Sequence, residues 1–288
     1  MKINQIKLNE WLHRYAGYND VPSLFLADYN RETFSALTSF FQNGLQSERQ
    51  ENLLTVFFNS IAGNGLTTMM LDFQMMVYRV ASKNFLYVSS EMFVGIWIDY
   101  IRNGHRQKLS TLDDYLQLGD TWEKFYAPFV DGIIIDDIEF ILRKETSMYA
   151  LNNLIDNYHK NKKTVILTLH CMTSREFENL DIGSKQLQSR ILQGICIDMR
   201  EPSHKDREEF IQYYLDKCNI FLSDLSNMSQ LLQYKSIRQI KDIIDALLFY
   251  SKDESKRVFS KNEVMFAEYA VESGGYHKDK IHNSGYHE

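Results

Sequence analysis

Five short apolar runs limit what this chain can fold into: LLTVFFN (53–59), FLYVSS (85–90), GIIID within DGIIIDDIEFI (131–141), TVILTLH (164–170) and GICIDMR (194–200). Runs this continuous fit strands buried on both faces, as in parallel sheets covered by helices. Helical patterns lie between them. Phe34, Leu37, Phe40 and Phe41 recur at helical spacing in 31–43, with Asn30 where an N-cap would stand. Further helices are predicted over 67–83, 91–103 and 147–161. The alternation predicts an α/β fold, a parallel sheet with helices on both faces. From Pro202 onward the pattern is wholly helical, over 204–216, 222–232, 235–250 and 260–272. The expected organisation is an N-terminal arm (1–20), an α/β core (21–201), a helical domain (202–272) and a polar, disordered tail (273–288).

Composition narrows the function. With 288 residues and 44% hydrophobic content the chain can bury one large core or two unequal ones. A net charge of -6 gives no global field for nucleic acid, so DNA binding is expected to be weak or absent. Cys171, Cys196 and Cys218 are odd in number and widely spaced, which fits free thiols rather than a disulfide framework or a metal site. The N-terminal MKINQIKLNEW lacks the continuous apolar stretch of a signal peptide, and no window is apolar enough to span a membrane. The cytoplasm is the expected compartment. His277, His282 and His287 recur every five residues in the tail and are expected to be solvated rather than metal-bound.

Two segments carry chemistry. In DGIIIDDIEFI, Asp136 and Asp137 emerge at the C-terminal end of a buried strand, where parallel sheets place their ligand crevice. A carboxylate there can hold Mg²⁺ directly or through water, and its neighbour can polarise an attacking water. The second segment is Ser60-Ile61-Ala62-Gly63-Asn64-Gly65-Leu66-Thr67-Thr68, between a strand and a helix. Against the phosphate-loop pattern G-x-x-x-x-G-K-[ST], Gly65 and Thr67 fit and Gly63 adds a flexible position. Ser60 replaces the first glycine and Leu66 replaces the lysine. Leu66 cannot donate to the β- and γ-phosphates, so the transition-state charge loses a main stabiliser.

These segments sit among others that resemble one family. YVSSEMFVGIWIDYIRNG (87–104) is similar to the second strand and helix of the bacterial replication initiator family DnaA. DGIIIDDIEFI resembles that family's V-D-x-L-L-I-D-D-I-Q-F. LQSRILQGICIDMREPSHKDREEFI (187–211) resembles L-x-S-R-F-x-W-G-L followed by P-P-x-x-x-x-R, and KSIRQIKDII (235–244) resembles the lid pattern R-x-N-x-R-E-L-E-G-A. Asn30-Arg31 matches an Asn-Arg pair before the first helix. Together these span about residues 20–270 in the family's order.

The resemblance implies an AAA+ fold, a nucleotide-binding core and a helical lid, with ATP or ADP and Mg²⁺ as ligands. It implies that Asp136 and Thr67 serve the magnesium, that Asp137 is the catalytic acid, and that Arg190 is an arginine finger directed at a neighbouring subunit. It further implies that Arg238 is the lid's sensor arginine, that Asn30 and Arg31 flank the adenine, and that residues 63–68 cradle the phosphates. His170 stands at a sensor position where the family usually has Asp, which weakens the case for hydrolysis.

No segment after 272 is long enough for the family's helix-turn-helix, so the architecture resembles the Hda-type regulators within it. Those carry a clamp-binding peptide Q-L-x-L-P-L, which Gln5-Ile6-Lys7-Leu8 matches in part. Without the clamp, Ile6, Leu8 and Trp11 would pack as an arm. The expected function is a nucleotide-binding regulator of replication initiation, at most a weak ATPase. Its expected partners are the initiator, with the sliding clamp and further copies of itself as others. The alternatives are a non-hydrolysing adaptor with a vestigial pocket and a single-stranded DNA-binding AAA+ protein. No role is assigned to residues 104–127, Trp122 and the Asp113-Asp114 pair included.

Overall fold

The five apolar runs all become strands. In the computed structural model, which describes residues 24–46, 54–103, 121–222, 231–234, 236–250 and 258–273, they are β1 (Leu54–Asn59), β2 (Phe85–Ser89), β3 (Gly132–Asp136), β4 (Thr164–His170) and β5 (Ile195–Met199). They form one parallel sheet in the order β2-β3-β4-β1-β5. Registers such as Asn59 with His170 and Met199, and Ser89 with Asp136, bring the polar strand ends to one edge.

Alternation within each strand divides the sheet's residues between two layers. Val56, Phe58, Leu86, Val88, Ile133, Ile135, Val165 and Leu167 join one core cluster. It is completed by Phe93 of α3 (Ser90–Asn103), Leu151 and Leu154 of α4 (Glu145–Lys160) and Leu187 and Ile191 of α6 (Lys185–Gln193). On the opposite face Phe57, Ile134 and Ile166 are equally buried. There α2 (Leu66–Ala81) sets the Phe73 ring edge-on to Phe85 and donates from Gln74 Nε2 to the Phe85 carbonyl at 2.6 Å. The expected α/β architecture is therefore present.

Trp122 has a structural place. In a 3-10 turn over Trp122–Tyr126, its ring packs on Phe93, Trp97 and Phe125. The short helix α5 (Ser174–Glu178) opens on a capping box between Thr173 and Glu176.

The chain divides into two compact units. One holds residues 30–62 and 66–200 of the described chain and contains the sheet; the other holds 25–29, 63–65 and the chain from 201. The second contains α7 (His204–Cys218), α8 (Ile237–Tyr250) and α9 (Lys261–Glu272). It also contains two strands absent from the helical expectation: β6 (Phe221–Leu222) pairs in parallel with β7 (Val258–Phe259). Two residues per strand leave no periodicity to read in a sequence.

The first helix, α1, spans Asp28–Gln46, so Asn30 lies inside its first turn rather than at the cap. The backbone N–H groups of Asp28 and Tyr29 donate instead to the Asp206 carboxylate of α7, which also closes a capping box with Ser203. No described helix is long and apolar enough to cross a membrane. Residues 1–20, including Gln5 to Leu8, together with 104–120 and the tail after 273, lie outside the described residues.

Candidate functional site

The chemistry within the sheet-bearing unit converges on Asp136. The apolar run Ile133-Ile134-Ile135 buries β3 and delivers this carboxylate, 5% exposed, to the strand's C-terminal end. Thr67 Oγ1, in the first turn of α2, donates to Oδ2 at 2.8 Å, and Tyr87 of β2 donates to the same oxygen at 2.6 Å. Thr168 of β4 donates to Oδ1, and His170 Nε2 lies 3.6 Å from it. Burial pushes the Asp136 carboxyl up, but the attraction of His170 and the hydrogen bonds from Thr168 and Tyr87 outweigh it and hold the group below its ordinary value. Asp136 is thus a buried anion whose oxygens are surrounded by donors.

Asp137 follows in the left-handed region at φ 60°. Its N–H donates to Thr168 Oγ1 at 2.8 Å and its side chain is exposed. Such a backbone turn in a non-glycine residue is uncommon and here separates two adjacent carboxylates, one inward and one outward. Two residues on, Glu139 accepts from the His170 N–H. Burial and the neighbouring Asp137 carboxylate push Glu139 up to about 9, so it is protonated at neutral pH. At the end of β1, Asn59 Oδ1 accepts from the Ile61 N–H, while its buried Nδ2 has no partner among the described residues.

The glycine-bearing loop has two parts. Leu66, where the phosphate-loop pattern has lysine, is buried at 1% exposure as the first residue of α2. Thr67 and Thr68 follow, half-buried. Gly63-Asn64-Gly65 belongs to the other unit. Gly63 and Gly65 take φ of 85° and 90°, which L side chains rarely adopt. Alternating positive φ turns successive N–H groups toward one side, a shape suited to anions. A Cβ at Gly65 would meet no atom within 4 Å, so the loop is open there.

Asn64 is fully buried, and its Oδ1 accepts from the Ile237 N–H at 3.4 Å. Its Nδ2 has no partner among the described residues. Arg238, second residue of α8, keeps an exposed side chain and donates its backbone N–H to the Gly63 carbonyl at 2.9 Å. Asn30 is buried and Arg31 exposed, both in the first turn of α1. Arg190 on α6 pairs with Asp156 of α4 and donates to the Asn152 carbonyl at 3.3 Å.

The structure therefore brings Thr67, Asp136 and Asp137 together in one unit, and Gly63, Asn64, Gly65 and Arg238 in the other. Arg190 sits apart on the α4–α6 face. Tyr87, Thr168 and Glu139 join the carboxylate cluster, although no sequence motif marks them. Their one signal is a polar group interrupting an apolar segment: Tyr in FLYVSS, the second Thr of TVILTLH and Glu in DDIEFI.

Against known families, residues 43–198, more than half the chain, match the bacterial DnaA ATPase domain. The chain belongs to the bacterial DnaA ATPase-domain family. The chromosomal replication initiator protein DnaA of Chlorobaculum tepidum is 27% identical over 202 residues, covering 69% of this chain and 36% of that protein. The chain thus spans about a third of the length of the curated relatives it matches.

Domain III of Thermotoga maritima DnaA superposes with a TM-score of 0.65 at 18% identity, over 85% of this chain and 92% of that one. AMPPCP-bound DnaA from Aquifex aeolicus gives 0.63 at 18% identity, over 87% and 68%. The fold is that of a DnaA-type AAA+ ATPase domain, a parallel five-stranded core and a helical region.

Proposed function

We propose that this chain is a nucleotide-binding regulator of chromosome replication initiation that turns over little or no ATP itself and acts on the full-length initiator through Arg190. The observation that carries the nucleotide reading is the Asp136 cluster. A buried anionic carboxylate that accepts the Thr67 hydroxyl proton leaves the Thr67 oxygen lone pairs for a hard cation. Mg²⁺ would be held by Thr67 and Asp136 and would supply neutralisation of phosphate charge. By the family resemblance, residues 63–68 would serve the phosphates of ATP or ADP, Asn30 and Arg31 the adenine, and Arg238 would be the sensor arginine. Asp137, exposed and facing a protonated Glu139, would orient water.

Slow turnover follows from two residues. Leu66 has no charge to give and its side chain is buried. His170 stands at the sensor position, with its imidazole Nε2 3.6 Å from the Asp136 carboxylate. Removing one preorganised donor from such a site lowers the rate by about 10²–10³. Arg190 is paired within its own chain, but Asp156 is partly exposed and such pairs contribute only about 0–1 kcal/mol. A partner's γ-phosphate therefore competes for the guanidinium without a large penalty.

The test is nucleotide turnover by the host's purified full-length DnaA with and without this chain. The expected result is a change in that turnover that Arg190→Ala abolishes; an unchanged effect in Arg190→Ala removes the assigned role.

A second reading is a non-hydrolysing adaptor, recruiting a clamp or helicase by protein contact, and the burial of Leu66 favours it. Calorimetry separates the two: absence of ATP and ADP binding at high micromolar concentration supports the adaptor. Single-stranded DNA binding is the third reading and predicts a strong salt dependence, which the net charge of -6 opposes. The clamp peptide at Gln5–Leu8, self-assembly and a cytoplasmic location belong to the same proposal.

A further inference from the structure

The phosphate loop of this chain lacks the lysine, so its grip on phosphate rests on backbone N–H groups. What aims them is visible on the opposite side of the same peptide planes. All peptides here are trans, so each carbonyl points away from the N–H of the next residue. The Asn64 carbonyl, in the Asn64–Gly65 peptide, accepts from the Tyr29 hydroxyl at 3.0 Å in a buried contact. The Gly63 carbonyl, in the Gly63–Asn64 peptide, accepts from the Arg238 N–H at 2.9 Å. Holding both oxygens turns the N–H of Asn64 and of Gly65 the other way. The Gly65 N–H has no partner among the described residues, and space opens beside that glycine.

Tyr29 is itself firmly held. Its ring is buried, and its N–H and that of Asp28 are anchored on Asp206. Four residues earlier, the Phe25 ring packs on Phe210 and Tyr213. On the other side α8 is in close contact with the loop: a Cβ on Gly63 would come within 2.6 Å of Ser236 Oγ and 2.8 Å of Arg238 Cβ. The loop is clamped by its carbonyls from both directions, all within one compact unit. A hydrogen bond accepted by a peptide carbonyl also polarises the N–H of that peptide and makes it a better donor.

We propose that Tyr29 is a positioning residue of the phosphate loop: its hydroxyl, opposite the first amides of α8, fixes the peptide planes of residues 63–65 so that the Asn64 and Gly65 N–H groups face bound phosphate. This rests on the nucleotide-binding reading above and deepens it. It separates the work of recognition. The nucleoside does not depend on the Tyr29 hydroxyl, whereas the phosphates do.

The test uses the full chain and two probes, Mg·ADP and adenosine, titrated into wild type and Tyr29→Phe, with the Gly65 amide followed by ¹H–¹⁵N NMR. Tyr29→Phe removes one hydroxyl and leaves the ring. The expected result is ADP binding weakened about fivefold to tenfold with adenosine binding unchanged. In wild type the Gly65 amide proton moves downfield as ADP binds, and in Tyr29→Phe it moves less. A residue that merely fills the core would lower thermal stability and leave the ratio of the two affinities where it was.

Equal ADP affinity in both proteins, or equal losses for ADP and adenosine, overturns the positioning role and leaves the nucleotide reading standing. No ADP binding by wild type overturns both. Should Tyr29→Phe fail to fold, the wild-type titration decides alone: a Gly65 amide that does not respond to bound ADP overturns the proposal.

Discussion

The two segments that would handle phosphate and metal have fared differently in this chain. Around Asp136 everything agrees: an apolar strand buries the carboxylate, and Thr67, Tyr87 and Thr168 donate to it while His170 stands close by. In the glycine-bearing loop the backbone shape persists, with Gly63 and Gly65 in the left-handed region, while the charge is gone and Leu66 is buried in its place. A carboxylate on one strand supported from two neighbouring strands and a helix has no freedom to drift, because removing the acceptor strands its donors away from water. Residue 66 carries no such network: a buried leucine stands where the phosphate-loop pattern has lysine.

The largest effect that would break this comparison is on the carboxylate side. Asp136→Ala leaves the surrounding hydroxyls without their acceptor and is expected to cost about 3 kcal/mol of stability, read as a fall in the denaturant midpoint. A change below about 0.5 kcal/mol would mean that the cluster is loosely built.

Next comes the loop. Leu66→Lys places an ammonium in a buried position and is expected to destabilise the free chain by about 2 kcal/mol. In Mg·ATP that loss should be recovered by ligand linkage, with affinity raised at least about tenfold. Unchanged affinity would show that the loop differs from a phosphate cradle in more than its charge.

A smaller effect tests Glu139. Its carboxyl titrates at about 9 rather than 4.5, so between those values the folded chain holds a proton that the unfolded chain has lost. Stability therefore falls as pH rises through that window. Glu139→Gln keeps the acceptor for the His170 N–H and removes the titration; its melting temperature should be flatter from pH 5 to 9 than that of wild type.

The smallest is Asp156→Asn, which frees Arg190 from its ion pair. Stability should change by less than about 1 kcal/mol, while the effect on initiator turnover rises if release of Arg190 limits it.

Much of the core was legible in the sequence because its strands are apolar throughout. GIIID and TVILTLH announce buried strands, and the acids after the first mark the C-terminal edge of the sheet. What the spacing hides is register. Tyr87 and Thr168 read as ordinary strand residues until β2, β3 and β4 are laid side by side. Arg190 and Asp156 meet only because α4 and α6 pack on the same core cluster. The helix α1 starts at Asp28, three residues before the start that an N-cap at Asn30 suggests, because its cap, Asp206, comes from a distant helix rather than from the preceding turn. Tyr29 gave no sign of its hydrogen bond to Asn64, since nothing in DYNRE links it to a loop beyond the next strand.

The proposed function requires that this chain bind nucleotide and cleave it slowly. Equilibrium binding of Mg·ATP by the wild-type chain, followed by a single-turnover chase on the same sample, measures both halves at once. ATP bound and recovered uncleaved over many minutes is the predicted result. Rapid release of ADP and phosphate by the isolated chain, or no ATP binding up to millimolar concentration, would contradict it.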